Sequence, residues 1–266
     1  MVSALCACAT SAQREPEKSE NRRLIGLDYF NKGLHRQALG ELLEAIKLDP
    51  ENFEAHNLIG LVFLRQGVDA LDLAERAQCL DGVAKVEQRQ IADGKIRRAA
   101  EHFELAVRHK KPFSEALNNL AVTALHFRDY RAAVRHEDEA LSNILYRDPH
   151  VALGNRGWAF FQQGDAVQAA RDLRQAVFHQ PGFCLGRYRL AEVHYSRKDY
   201  PAAAVELERV WQDQACPIQE AYRLHGKVLA LQGDRAGARE RFQRCQEVAK
   251  DSCLARQCER DARLVN

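Results

Sequence analysis

One register of small and apolar residues repeats along this chain and limits what it can fold into. Gly157, Phe160, Gly164, Ala169, Leu173, Ala176 and Pro181 fall at positions 8, 11, 15, 20, 24, 27 and 32 of a 34-residue unit. Gly26, Tyr29, Gly33, Ala38, Leu42, Ala45 and Pro50 repeat that spacing. Gly226, Leu229, Gly233, Ala238 and Phe242 repeat it again, with Cys245 at the seventh-position alanine. Ala191, Ala203 and Leu207 mark a fifth unit, and Leu120, Ala121 and Ala133 a third. A period of this length means stacked supersecondary units, none of which buries its apolar face alone. The residue types have physical reasons. Small residues at positions 8 and 20 let two helices approach, the glycine at 15 ends the first helix in a left-handed cap, and a proline near 32 stops the second. Pro50, Pro112, Pro149, Pro181 and Pro217 stand at such stops, and Pro201 in the first turn of a helix.

The pattern resembles the tetratricopeptide repeat, a helix–turn–helix unit, and predicts an all-α superhelical solenoid of about six repeats with a C-terminal capping helix. Expected boundaries are a leader and linker over 1–18, repeats over 19–52, 53–113, 114–150, 151–184, 185–218 and 219–252, and the cap over 253–266. In the second repeat the core of helix B (Ala99, Phe103, Ala106) arrives 27 residues late. The insertion, 68–94, favours helix and holds one turn signal, Asp81-Gly82, near its middle. It reads as a projecting hairpin that lengthens both helices by roughly 20 Å at 1.5 Å per residue; a floppy loop is the alternative. Composition agrees with an all-helical chain, and no apolar run reaches the ~20 residues of a membrane span.

In a stacked array, positions 2, 5, 9 and 12 of each first helix (helix A) line the concave side. These are Phe30, then Asn57, Leu61 and Leu64, then Asn118, Val122 and Leu125, then Trp158 and Phe161, then Tyr188 and Tyr195. Packing on neighbouring A helices accounts for part of this stripe. Its aromatic content predicts a binding groove for an amphipathic helix or extended peptide.

Enzyme chemistry is not expected. The chain has no phosphate-binding glycine loop, no nucleophile elbow and no paired-histidine motif. Cys253 and Cys258 do not form a CxxC, so neither metal nor cofactor is expected. Thirty-nine basic against 37 acidic residues argue against nucleic acid as a partner.

Eight cysteines suggest an oxidising compartment, against the plainer reading of buried thiols. Cys184 stands at the entry to helix A of the fifth unit and Cys216 just past the end of its helix B. Antiparallel packing makes these ends neighbours, so a disulfide is expected. Cys253 and Cys258 are a second candidate pair at the start of the cap, with Cys245 a rival partner; Cys79 has no evident mate. At the start of the chain, "LCAC" (5–8) looks like the end of a lipoprotein signal, which makes Cys8 the lipidation candidate, followed by a polar linker.

More specific stretches are "EALNNLAVTALHF" (115–127), "ALSNILYRDP" (140–149), "GNRGWAFFQQGD" (154–165), "QPGFCLGRYRLA" (180–191), "CPIQEA" (216–221) and "SCLARQC" (252–258). Together they resemble the type IV pilus pilotins, the PilF/PilW family, and among these the myxobacterial lipoproteins. The resemblance implies a monomeric outer-membrane lipoprotein on the periplasmic face, anchored through Cys8, that promotes assembly of the pilus secretin by binding a secretin subunit. The competing classes are a cytoplasmic repeat adaptor or chaperone-type scaffold and an RNA-binding helical repeat. The first rival would have neither disulfides nor lipid. The second would need a basic groove.

Overall fold

The computed structural model describes residues 14–80, 84–212, 216 and 218–265. Thirteen α-helices and no strand make up these residues: α1 (Pro16–Asn31), α2 (His35–Leu48), α3 (Phe53–Leu80), α4 (Ala84–His109), α5 (Ser114–His126), α6 (Tyr130–Leu141), α7 (Pro149–Gln162), α8 (Ala166–His179), α9 (Cys184–Ser196), α10 (Tyr200–Gln212), α11 (Gln219–Leu231), α12 (Arg235–Val248) and α13 (Cys253–Leu264). The first twelve pair into six antiparallel hairpins, and α13 packs on α12 as a cap.

Within each hairpin the A and B helices meet at positions 8 and 24. A Cβ built on Gly26 would lie 2.7 Å from Leu42 Cγ, on Gly60 2.4 Å from Phe103 Cε1, on Gly157 2.9 Å from Leu173 Cγ, and on Gly226 2.6 Å from Phe242 Cε1. Leu42, Phe103 and Leu173 are almost fully enclosed at these contacts. The third repeat is different: Ala121 faces position 24, and that position is Glu137, fully buried.

The turn between A and B is a two-residue device. Gly33, Gly164 and Gly233 have φ of +73°, +88° and +88°, and Arg128 and Lys198 hold the same position at +60° and +61°. The next amide closes the A helix with a bond five residues back: Asp129 to Ala124, Asp165 to Phe160, Asp199 to His194 and Asp234 to Leu229, each 2.9 Å. The same aspartates then cap the B helix through Oδ1, accepting from Ala132, Gln168, Ala202 and Gly237. In the second repeat, position 15 is Gly67, which lies inside α3 and makes no turn. There a Cβ would lie 2.6 Å from Ile96 Cγ1, so this glycine serves close helix packing along the 28-residue α3 and 26-residue α4.

Position 1 ties the bottom of four hairpins. Ser19 Oγ donates to the Ala45 carbonyl (2.8 Å), Ser114 Oγ to Ala140 (3.1 Å) and Gln219 Nε2 to Cys245 (2.7 Å). In the fifth repeat position 1 is Cys184, and the tie is a disulfide to Cys216 with Cα atoms 5.8 Å apart. Cys258 bonds Cys245 of α12, Cα atoms 6.1 Å apart, rather than Cys253. Cys253 and Cys258 are five residues apart on α13 and point to different sides of it, so the helix holds them beyond disulfide reach. Cys253, itself disulfide-bonded, has its Sγ 3.2 Å from the Glu75 carbonyl of α3, so the cap meets the extended hairpin. Pro149 also differs from the expected helix stop: it is the first residue of α7, after a loop over 142–148.

Two outcomes follow for stability. Arg128→Gly and Lys198→Gly remove a side chain from a left-handed position, and each should stabilise by about 0.5–1 kcal/mol in denaturant titrations. The double change Cys184→Ser/Cys216→Ser should cost about 2–4 kcal/mol under oxidising conditions and nothing once the native protein is reduced.

Candidate functional site

The A helices touch one another in series, α1 with α3, α3 with α5, α5 with α7, α7 with α9 and α9 with α11, and so form one continuous face. Phe30 (α1), Asn57, Leu61 and Leu64 (α3), Val122 and Leu125 (α5), Trp158 and Phe161 (α7), and Tyr188 and Tyr195 (α9) are all half-buried on their helices. Phe30, Leu61 and Leu64 pack against the core of the first two repeats, and Tyr188 and Tyr195 against that of the fifth. The Trp158 and Phe161 rings lie 5.3 Å apart, tilted by 38°. Tyr195 meets Tyr200 at 5.8 Å. Asn118 is buried and serves its neighbours through hydrogen bonds. Cys8 lies outside the described residues, as does the side chain of Cys79.

Beside this apolar stripe runs a polar one, at position 6 of three consecutive A helices. Asn119 Nδ2 donates to Asn57 Oδ1 (3.0 Å), and Asn155 Nδ2 donates to Asn118 Oδ1 (3.0 Å). Arg189 Nη1 then donates to Asn155 Oδ1 (3.0 Å) and to the Gly154 carbonyl (3.1 Å). Its guanidinium lies 5.5 Å from the Trp158 ring centre, over the ring face. Sequence reading of the apolar positions passed over this column, although Asn119, Asn155 and Arg189 share one register and signal it.

Burial tunes the groups here. It pulls the Arg189 guanidinium down to about 10, against the pull of Glu192 and Glu137. It pushes the Tyr188 phenol well above its ordinary range and raises Glu192 as well, while the Tyr188 hydroxyl, bonded to Glu192, works the other way on that carboxyl. Further along, burial lowers Lys227 of α11, and Arg223 is paired with Asp261 of the cap at 2.7 Å.

Behind the face lies Glu137. Neither of its carboxyl oxygens has a partner at hydrogen-bond geometry among the described residues, and burial pushes its pKa up to about 9 from 4.5, against the opposing influence of nearby Asn155, Arg156 and Arg189. Asn155 is turned to Asn118. Arg156, one helix away, is spent on Asp172 (2.6 Å) and Asp138 (2.7 Å). Glu137 is therefore a neutral acid at physiological pH. Among the described residues no group of three or more His, Cys, Asp or Glu side chains is placed to hold a metal ion, and no helix is long and apolar enough to cross a membrane.

The folded state binds a proton at Glu137 that the unfolded chain releases above about 4.5. Stability therefore falls as pH rises from that value towards 9. Glu137→Gln should be more stable than the native protein by about 1–3 kcal/mol at pH 7.5, with the difference narrowing towards pH 5 in thermal or urea melts.

Two family models match. The "TPR repeat" model matches residues 26–67 and the "Tetratricopeptide repeat" model residues 88–149 and 155–217. No curated protein matches. Among solved structures the chain is similar to PilF of Pseudomonas aeruginosa, at 18% identity, TM-score 0.69, covering 92% of this chain and 98% of that one. It is similar to PilW, described as a widely conserved type IV pilus biogenesis factor, at 20% identity and TM-score 0.70, covering 90% and 97%. It is also similar to a chain of the Cut9–Hcn1 complex of the APC/C, at 13% identity and TM-score 0.72, covering 94% of this chain and 43% of that one.

Proposed function

Because the chain belongs to the tetratricopeptide-repeat family, whose models match more than half of it, we propose that it is a non-enzymatic protein-binding pilotin. In this reading its A-helix face is a groove that takes a segment of the type IV pilus secretin and promotes secretin assembly at the outer membrane. The observation that carries the binding role is the series of half-buried apolar and aromatic side chains, from Phe30 through Leu61, Leu64, Val122, Leu125, Trp158 and Phe161 to Tyr195, along touching A helices. A surface of this chemistry suits an amphipathic or extended segment, and its Trp and Tyr are the anchor types of interfaces.

Three observations support the pilus assignment. PilF and PilW share the fold over nearly the whole length on both sides, so the shared unit is the entire array rather than one repeat. The sequence stretches that resemble pilotins include both ends of the Cys184–Cys216 bridge. The disulfides, Cys184–Cys216 and Cys245–Cys258 among them, fit an exported protein better than a cytoplasmic adaptor. Export places the chain in the periplasm, and Cys8 carries the lipid that holds it to the outer membrane. In this reading the chain is a pilotin of the myxobacterial kind, like the lipoprotein Tgl.

Trp158→Ala/Phe161→Ala is the decisive variant. It should retain a cooperative melt and the native disulfides, yet lose secretin binding by about 2–4 kcal/mol. In cells it should abolish detergent-resistant secretin multimers while the level of secretin monomer holds. Native multimer yield from this variant would remove the groove. Cys8→Ala should release the protein from the membrane fraction, and unchanged fractionation would remove the anchor. Recovery of the native protein in the cytosol with Cys184 and Cys216 reduced would favour the cytoplasmic adaptor.

A further inference from the structure

The B helices end and the A helices begin on one edge of the array, so the links from repeat to repeat lie there. The start of α1 belongs to the same edge. The Glu15 amide donates to the Leu48 carbonyl (3.0 Å), and Arg14 pairs with Glu51 in a cleft shared with His56 and His109. Residues 1–13 therefore join the array at this edge. Six residue steps separate Cys8 from Arg14, a reach of at most about 20 Å. A lipid on Cys8 holds the edge that close to the bilayer.

On this edge the link over 142–148 is built inside out. Its polar groups turn inward. Ser142 Oγ donates to the Glu139 carbonyl (2.7 Å), Asn143 Nδ2 donates to Ser114 Oγ (3.1 Å), and Asn143 Oδ1 accepts from the Leu145 amide (3.1 Å). The Tyr146 amide donates to the Asn143 carbonyl (3.0 Å), and the Tyr146 side chain is buried. Between these two pins Ile144 and Leu145 are thrust outward, 94% and 81% exposed. Phe178, in the last turn of the next B helix, is 82% exposed. His150 meets Phe183 at 5.2 Å and joins the two links. Large apolar side chains left in water while the polar groups around them are satisfied mark a contact surface.

The charges on the two edges differ. Lys111, on the preceding link, and Arg147 are exposed, and neither has a carboxylate within 4.0 Å in an ion pair among the described residues. The opposite edge carries the aspartates that cap the B helices, Asp129, Asp165, Asp199 and Asp234. Projecting apolar tips beside unpaired cations suit a bilayer with anionic headgroups.

We propose that this edge rests on the membrane, with Ile144 and Leu145 inserted at the boundary of headgroups and acyl chains. The inference rests on the Cys8 anchor reading and adds an orientation to it. Two inserted side chains bind weakly alone, but the anchor makes their contact intramolecular, so a weak contact suffices. The A helices then stand off the bilayer, and the groove that crosses them runs along it, open to a segment near the membrane surface.

The test uses the lipidated protein in vesicles of equal parts phosphatidylethanolamine and phosphatidylglycerol, with and without brominated acyl chains, which quench tryptophan on contact. Leu145→Trp should show at least twice the quenching of the native protein, whose Trp158 and Trp211 set the background. Val167→Trp, at a 72% exposed site in the first turn of α8 on the opposite edge, should match the native protein. Both sites are exposed, and a melt of each variant checks its fold. Leu145→Trp quenched no more than native, in protein that floats with the vesicles, overturns the membrane contact and leaves the anchor standing. Equal quenching of the two variants overturns the fixed orientation. Protein that does not float overturns the anchor, and this inference with it. In cells, p-benzoylphenylalanine in place of Leu145 should crosslink to lipid, and adducts with protein alone overturn the membrane contact in favour of a protein partner.

Discussion

The contact between positions 8 and 24 holds the rest of the molecule in place. A glycine on the A helix lets a leucine or phenylalanine of the B helix lie against bare backbone, as at Gly60 and Phe103 or Gly226 and Phe242. That approach sets the separation and the crossing of each helix pair. Hairpins of equal thickness then stack in register, and only in register do successive A helices meet along one face. Any side chain at position 8 larger than methyl would lift the A helix off its partner and break the continuity of that face. The same contact explains why Gly67 survives in the middle of α3: the long hairpin extends the close approach by two further turns, against Ile96.

The legible parts of the fold were those in which one residue type has one physical use. Gly164 and Gly233 end helices because a left-handed turn tolerates little else, and their spacing located the hairpins. Arg128 and Lys198 occupy the same left-handed position without glycine; there the aspartate that follows holds the turn, as backbone donor to the A helix and side-chain cap of the B helix. Pro149 was misread because a proline that ends one helix and a proline that begins the next look alike in sequence, and the longer loop before it decides for the beginning. The capping helix and Cys245 as a rival partner were legible, and only the Cys253–Cys258 pairing fails, for want of a helix axis. Two cysteines five apart look adjacent on paper, yet a helix turns them to different sides and sends Cys258 to Cys245 of α12.

At the face itself, the apolar residues were legible from their period and the polar ones were not. Trp158, Phe161, Tyr188 and Tyr195 declare themselves by size. Asn155 and Arg189 look like ordinary solvated positions until the neighbouring helix is in place. Only then do Asn118, Asn155 and Arg189 become a chain of bonds that crosses three repeats. Such a chain ties repeat to repeat by direction as well as by area, and it holds α5, α7 and α9 in one orientation. A repeat array is otherwise held by nearest-neighbour burial alone.

Glu137 and Arg189 show where the regular repeat was given up. Position 24 is Leu42, Phe103, Leu173, Leu207 and Phe242 in the other repeats, and an acid there costs stability that a leucine would supply. The buried acid does not neutralise the arginine, because it holds its proton instead. A core that keeps an acid neutral and a face that buries a guanidinium are both departures from the most stable packing, and they lie two repeats apart, on either side of the Asn118–Asn155 bond. Local costs that cluster in this way mark the region of the array where stability has been set aside for contact with something else.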